Sequence, residues 1–233
     1  MIEPYANLYR ANLTRADLYR ANLVMADLTD ANLYRANLTD ANLYRANLTE
    51  ANLTEASLAG ARLTEADLTG ADLFMADLTR ANLTEANLTG ANLTGATLTG
   101  ATLTGARLTG ATLTEADLTW ANLSRANLSR ANLFRANLFK ATLTGATLTG
   151  ARLNWASHDL VSAILFGAAG DCEAKRQLAG LVIISRDWCW PAFASLDLDI
   201  ELRAWAVSVL ATYIQDGDTA PAILRRAASK EVA

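Results

Sequence analysis

The chain has 233 residues, a formal net charge of −4, two Cys and one His, with 52% hydrophobic but only 7% aromatic residues. A single imidazole, His158, excludes a multi-His metal site within the chain, and thirteen Gly with three Pro exclude collagen-like or Pro-rich disorder. Ala and Leu supply most of the apolar fraction, a bias that points to internal repetition.

At the start, Met1-Ile2-Glu3-Pro4 lacks the basic and apolar regions of a signal peptide. Apolar runs such as 163–169 are too short to cross a bilayer. The expectation is a cytoplasmic protein with no membrane segment. Cys172 and Cys189 match no metal or redox spacing, and buried, reduced thiols are expected, although a disulfide between them is compatible with the sequence.

From residue 6 to residue 155 the pattern Ala-x-Leu-x-x runs unbroken through thirty units, with Ala at every fifth position from Ala6 to Ala151 and Leu from Leu8 to Leu153. In an α-helix, a five-residue period turns the apolar pair by about 140° per repeat and spreads it round the helix. In one continuous strand an odd period sends successive Leu to opposite faces. Within a unit, Ala and Leu lie two apart and share a face, as in a short strand. The three-residue step to the next Ala needs a corner. A β-solenoid with Ala and Leu inside meets both demands, and the period alone permits three or four sides.

The outer positions fit such a wall. The site between Ala and Leu is Asn fifteen times and Asp six times, residues that bond local backbone groups in turns. Thr follows Leu in eighteen units, and nine Gly occupy the last position, where a corner with positive φ favours them.

Units such as Ala11-Asn12-Leu13-Thr14-Arg15 and Ala66-Asp67-Leu68-Thr69-Gly70 resemble the pentapeptide-repeat family, whose motif is A(D/N)LXX. The resemblance covers about two-thirds of the chain. It implies an all-β solenoid, a right-handed quadrilateral β-helix with four units per coil. Thirty units then make a rod roughly 36 Å long at about 4.8 Å per coil. Tyr34, Phe74 and Phe134 differ by multiples of twenty and are expected on one face.

After Trp155 helical spacing replaces the repeat. Ser157 is expected to cap a segment with Leu160, Ile164, Leu165 and Ala168 on one side, ended by Gly170. Asp171 is expected to cap a second through Ala174, Leu178 and Val182 to Ile184. Asp187-Trp188-Cys189-Trp190-Pro191 reads as a loop, Leu198 to Tyr213 as the clearest helix, and about 219–229 as a short last one. The chain thus divides into a solenoid, 1–155, and a C-terminal α-helical cap, 156–233, that covers the last coil edge. Only five residues precede the first unit, which suggests a homodimer through that solenoid end.

No constellation for chemistry emerges. His158 adjoins Asp159 and Ser162 without a partner motif, the Gly form no phosphate loop, and the carboxylates have no evident apolar pocket. The expectation is no enzyme activity, no cofactor and no metal. The functional reading is a protein-interaction scaffold. Family resemblance implies an alternative, a DNA-mimicking protein that protects gyrase, a topoisomerase. About 36 Å of duplex carries roughly 21 negative charges, whereas residues 1–155 hold 14 acids and 13 bases. The acids gather mid-rod, at Glu50, Glu55, Glu65, Asp67, Asp72, Asp77 and Glu85, a candidate interaction surface expected to form a belt over all four sides. Arg next to Tyr9, Tyr19, Tyr34 and Tyr44 could supply phosphate contacts and stacking, but direct nucleic-acid binding is disfavoured by the net negative charge.

Overall fold

Parallel β-bridges join each residue to the one twenty positions later, from Asn7↔Asp27 through Asp67↔Asn87 to Asn132↔Arg152. A three-sided coil would pair residues fifteen apart, so the register selects four units per coil. The computed structural model describes residues 3–153, 158–184, 200–212 and 222–228.

In a mid-rod unit with Asn or Asp after Ala, all five N–H groups have a definite acceptor. The residue after Ala donates to the Ala carbonyl of the preceding coil, as Asp67 to Ala46 at 2.9 Å. Leu donates to the next coil, as Leu53 to the Asp72 carbonyl at 2.7 Å, and so does the fifth residue, as Glu50 to Thr69 at 2.9 Å. Ala closes the corner by donating to the Leu carbonyl three residues back, as Ala11 to Leu8 at 2.9 Å. The fourth N–H has no backbone acceptor. The Asn or Asp of the same unit supplies one: Oδ1 of Asn52 accepts from the Thr54 N–H at 3.0 Å and Oδ1 of Asp77 from Thr79 at 2.9 Å. The preference for Asn and Asp is thus a backbone requirement met by a side chain.

Each corner is a four-residue turn whose third residue is left-handed. Every fifth residue from Tyr5 to Gly150 has positive φ, the non-Gly ones between 53° and 62°. Gly was expected at such corners, and nine carry it. The other twenty-one hold Arg, Glu, Asp, Met, Tyr, Trp or Lys in a conformation that costs an L-residue about 1–2 kcal/mol. The coil geometry imposes the corner, and the sequence relieves its strain at fewer than a third of them.

Leu and Ala fill the interior. From Leu23 to Leu138 every repeat Leu is 1% exposed or less. The first coil differs, since Leu8 and Leu13 are only half-buried.

Among the described residues four helices follow: α1 (His158–Ala169), α2 (Glu173–Ile184), α3 (Ile200–Ala211) and α4 (Ala222–Ala228). α1 packs on α2, α3 on α4, and α1 also touches α3. Their buried residues, among them Val161, Leu165, Leu178, Leu210 and Leu224, belong to one apolar cluster with the repeat leucines.

Several details differ from expectation. Ala168 is exposed and Ala169 is buried instead, beside Val161, Ile164 and Leu165. Asp171 does not cap α2: its carboxylate accepts from Nη2 of Arg176 at 3.0 Å, while the Cys172 carbonyl accepts the first helical N–H, that of Arg176. Cys172 is a free, exposed thiol rather than a buried one, in the turn before α2. Ser157, the 187–191 loop with Cys189, and the ends of the last two expected helices lie outside the described residues.

Candidate interaction surface

The twenty-residue register stacks equivalent positions of successive coils, so wall residues interact in columns along the rod. Arg10 pairs with Asp30, Arg35 with Glu55, Arg45 with Glu65 and Glu115 with Arg135, at nitrogen–oxygen distances of 2.7–3.1 Å, each pair twenty residues apart at the corners. Arg20 and Asp40 make a longer pair at 3.6 Å. The guanidiniums of Arg35 and Arg45 are shifted above their usual pKa, first by hydrogen bonding to Glu55 and Glu65 and then by the charge of those carboxylates. All these pairs are well exposed, and each contributes little to stability.

The seven mid-rod acids do lie on all four faces. Glu50 and Asp67 share one face, Glu55 and Asp72 the next, Asp77 the third, and Glu65 and Glu85 the fourth. Their chemistry divides them. Asp67, Asp72 and Asp77 are consumed by the wall, since each accepts the N–H two residues on. Asp67 and Asp72 also accept from Nδ2 of Asn87 (3.1 Å) and Asn92 (2.9 Å), one coil later. Glu55 and Glu65 are held by Arg35 and Arg45, and Glu65 is also 3.4 Å from the Tyr44 hydroxyl. Glu50 leans over the bare Gly70 corner. Among the described residues, the carboxylates of Glu50 and Glu85 alone of the seven have no hydrogen-bond or ion-pair partner. The belt is real in position, but most of its charge is already engaged.

Two further carboxyls serve the same wall. Asp27 is held below the usual carboxylate range by the Thr29 hydroxyl and N–H, against a small opposing effect of burial. For Asp117 burial pushes upward, but hydrogen bonds from the Thr119 hydroxyl, the Thr119 N–H and the Thr99 hydroxyl together outweigh it, and the carboxyl is lowered.

The Tyr residues next to Arg each have one ring face already occupied. Arg10, Arg20, Arg35 and Arg45 each lie over the ring of the Tyr before them, 4.9–5.0 Å from its centre. Arg135 and Arg152 lie over Phe134, and Lys140 over both Trp120 and Phe139. The sequence signal for this grouping is the tripeptide Leu-aromatic-cation, present at 8–10, 18–20, 33–35, 43–45, 133–135 and 138–140. Tyr34, Phe74 and Phe134 do share one face but stand two and three coils apart, with Thr54, Thr94 and Thr114 between them, so they form no continuous stack.

Among the described residues no group of three or more His, Cys, Asp or Glu side chains comes together to hold a metal ion, and no helix is long and apolar enough to cross a membrane.

A regular coil of five-residue units with Ala and Leu inside and an Asx acceptor in the wall defines a repeat solenoid. The profile described as pentapeptide repeats matches in eight copies over residues 5–35, 36–73, 76–114 and 116–154, more than half of the chain, and the chain belongs to the pentapeptide-repeat family. Its coil is accordingly a right-handed β-helix. No curated protein matches the chain. Among solved structures, it is similar to the pentapeptide repeat protein Rfr23 of the cyanobacterium Cyanothece 51142, with 32% identity over 45% of this chain and 86% of that one, at a TM-score of 0.44. It is similar to HetL of Nostoc sp. strain PCC 7120, a pentapeptide repeat protein involved in heterocyst differentiation regulation, with 35% identity over 64% and 85% and a TM-score of 0.36. It is also similar to QnrB1, a plasmid-mediated fluoroquinolone resistance protein, with 25% identity over 65% and 81% and a TM-score of 0.33.

Proposed function

We propose that this chain is a non-enzymatic, cytoplasmic protein-interaction scaffold: a solenoid over residues 1–155, covered at its last coil by a helical cap over 156–233. One observation carries the reading. The interior is spent wholly on Ala and Leu, so chemical variety lies on the outer wall, at positions fixed by a twenty-residue register. A rigid wall lowers the ordering cost of binding, which is what a scaffold requires. Support for the cap comes from the two rod ends: Leu143, Leu148 and Leu153 are buried in one cluster with Val161 and Leu165, whereas Leu8 and Leu13 are half-exposed. That half-exposed coil supports a homodimer through the Leu8 end, for which light scattering at micromolar concentration must give twice the chain mass. The free Cys172 thiol suits a reducing compartment. Direct nucleic-acid binding does not fit a net charge of −4.

The test is affinity capture from native lysate with the full chain as bait. Recovery of the same partner in repeated captures supports the scaffold, and recovery of none removes it.

A weaker second reading is a DNA mimic that protects gyrase. It is favoured by seven acids against Arg62 and Arg80 over residues 50–85, the segment that would serve as the interaction surface. It is opposed by the engagement of five of those seven acids within the wall. A supercoiling assay decides it: neither inhibition of gyrase by the protein nor relief of quinolone inhibition removes the mimic.

A further inference from the structure

The coil formed by residues 121–140 carries a cation at all four corners, Arg125, Arg130, Arg135 and Lys140, each in the left-handed turn that points its side chain off the rod. No other coil is charged this way. Arg152 adds a fifth positive charge one coil later, and from Leu118 to His158 the sequence has no Asp or Glu. Among the described residues only Arg135 of the five has an ion-pair partner, Glu115 of the preceding coil at 3.1 Å. All five side chains are exposed.

Aromatic rings hold part of this ring of charge in place. Lys140 Nζ sits 4.1 Å from the centre of Trp120, a ring that is itself 58% exposed, and 5.2 Å from Phe139. Arg135 and Arg152 lie 5.5 and 5.2 Å from the centre of Phe134. The two aromatic corners, Phe134-Arg135 and Phe139-Lys140, bracket one flat face whose outward residue is Asn137.

We propose that this coil docks an acidic segment of a partner protein. The inference rests on the scaffold reading above and names the partner's chemistry. The cations held against aromatic rings, Arg135, Arg152 and Lys140, lose little freedom when a carboxylate arrives, and among the described residues only Arg135 of the five already has an acid beside it, Glu115. The same contacts disfavour single-stranded nucleic acid, which stacks its bases on open rings, because a cation already occupies one face of each of Phe134, Phe139 and Trp120. Duplex nucleic acid presents its phosphates in long rows, whereas these charges are confined to one coil and its neighbour and point outward from four corners.

The experiment measures binding of a fluorescein-labelled deca-glutamate peptide to the full chain by anisotropy in 50 mM salt, with labelled oligothymidylate of ten nucleotides in parallel. The comparison protein is the triple variant Arg125→Gly, Arg130→Gly and Lys140→Gly. Gly occupies nine other corners, so these changes suit the coil, and a cooperative melt at or above the native temperature verifies folding. Arg15→Gly, at the opposite end, is the control. Expected are saturable binding of deca-glutamate that weakens with added salt, a loss of at least tenfold in the triple variant, and no loss in the control. The proposal is overturned by no deca-glutamate binding, by equal loss in the control, or by oligothymidylate binding as tightly as the peptide. It is also overturned if the folded triple variant captures the same lysate partner as the native chain, a result that leaves the scaffold standing. Capture of no partner by the native chain removes the scaffold instead.

Discussion

The left-handed corner can be isolated from every other contribution at Gly90. Its φ is +69°, and a Cβ built there meets no atom within 4 Å. Gly90→Ala therefore introduces no collision and removes no contact; only the backbone penalty remains. Placing an L-residue in the left-handed region costs about 1–2 kcal/mol. Ala also restricts the unfolded chain relative to Gly, which returns about 0.4–1 kcal/mol. The net expectation is a loss of about 1 kcal/mol, or about 2–4 °C in the melting temperature of a chain this size. Glu85→Gly runs the argument in reverse. Glu85 has φ +57° and a side chain with no hydrogen-bond or ion-pair partner among the described residues, so Gly relieves strain without breaking an interaction and should raise the melting temperature by a similar amount. Thermal melts of both variants followed by circular dichroism supply the measurement. A neutral Gly90→Ala, or a destabilising Glu85→Gly, refutes the claim that the corners are strained.

Other expectations concern the core, the wall and pH. Leu73→Ala, at a fully buried position, should cost about 2–5 kcal/mol, since the surrounding coils cannot close the cavity; an unchanged urea midpoint contradicts the packing. Ala71→Leu should also destabilise, by about 1–3 kcal/mol, through overpacking. Asn92→Ala removes the acceptor for the Thr94 N–H and hydroxyl and the donor to Asp72, and should lower stability by about 1 kcal/mol or more. Asp27 and Asp117 bind protons less readily folded than unfolded. Their stabilisation is present above the unfolded carboxylate value of about 4 and is lost as pH falls through their lower folded values; Asp117→Asn should flatten the acid limb of a stability-against-pH curve.

The rod was legible in the sequence because every period position has a single physical duty. Ala6 to Leu153 repeat without substitution, which is enough to derive inward Ala and Leu and a corner between units. The number of sides was not legible from the period, because the fifteen- and twenty-residue registers place the same residue types opposite one another; the family resemblance supplied it and the bridges establish it. The strained corners were half legible: Gly60 or Gly90 announces a left-handed turn, whereas Arg45 or Met75 in the same conformation does not. In the helical tail, segments were legible but faces were not. α1 keeps Ile164 and Leu165 buried yet exposes Ala168, because a small residue carries too little apolar surface to fix the helix rotation by itself.

Counting charges along the sequence misjudges this wall, since the coil decides which charges remain available. The mid-rod acids outnumber the bases in their own segment, but the register places Arg35 on Glu55 and Arg45 on Glu65, partners that lie a full coil away in sequence. The turns then claim Asp67, Asp72 and Asp77 for backbone N–H groups. What is left acidic at mid-rod is Glu50 and Glu85. Near the C-terminal end of the rod the same register works the other way. With no acid from Leu118 to His158 to stack against, Arg125, Arg130 and Lys140 keep their charge, although the net charge of the whole chain is −4. A surface with the opposite sign to the whole protein thus follows from where the repeats place their fifth residue, and a partner that reads this rod by charge reads that coil.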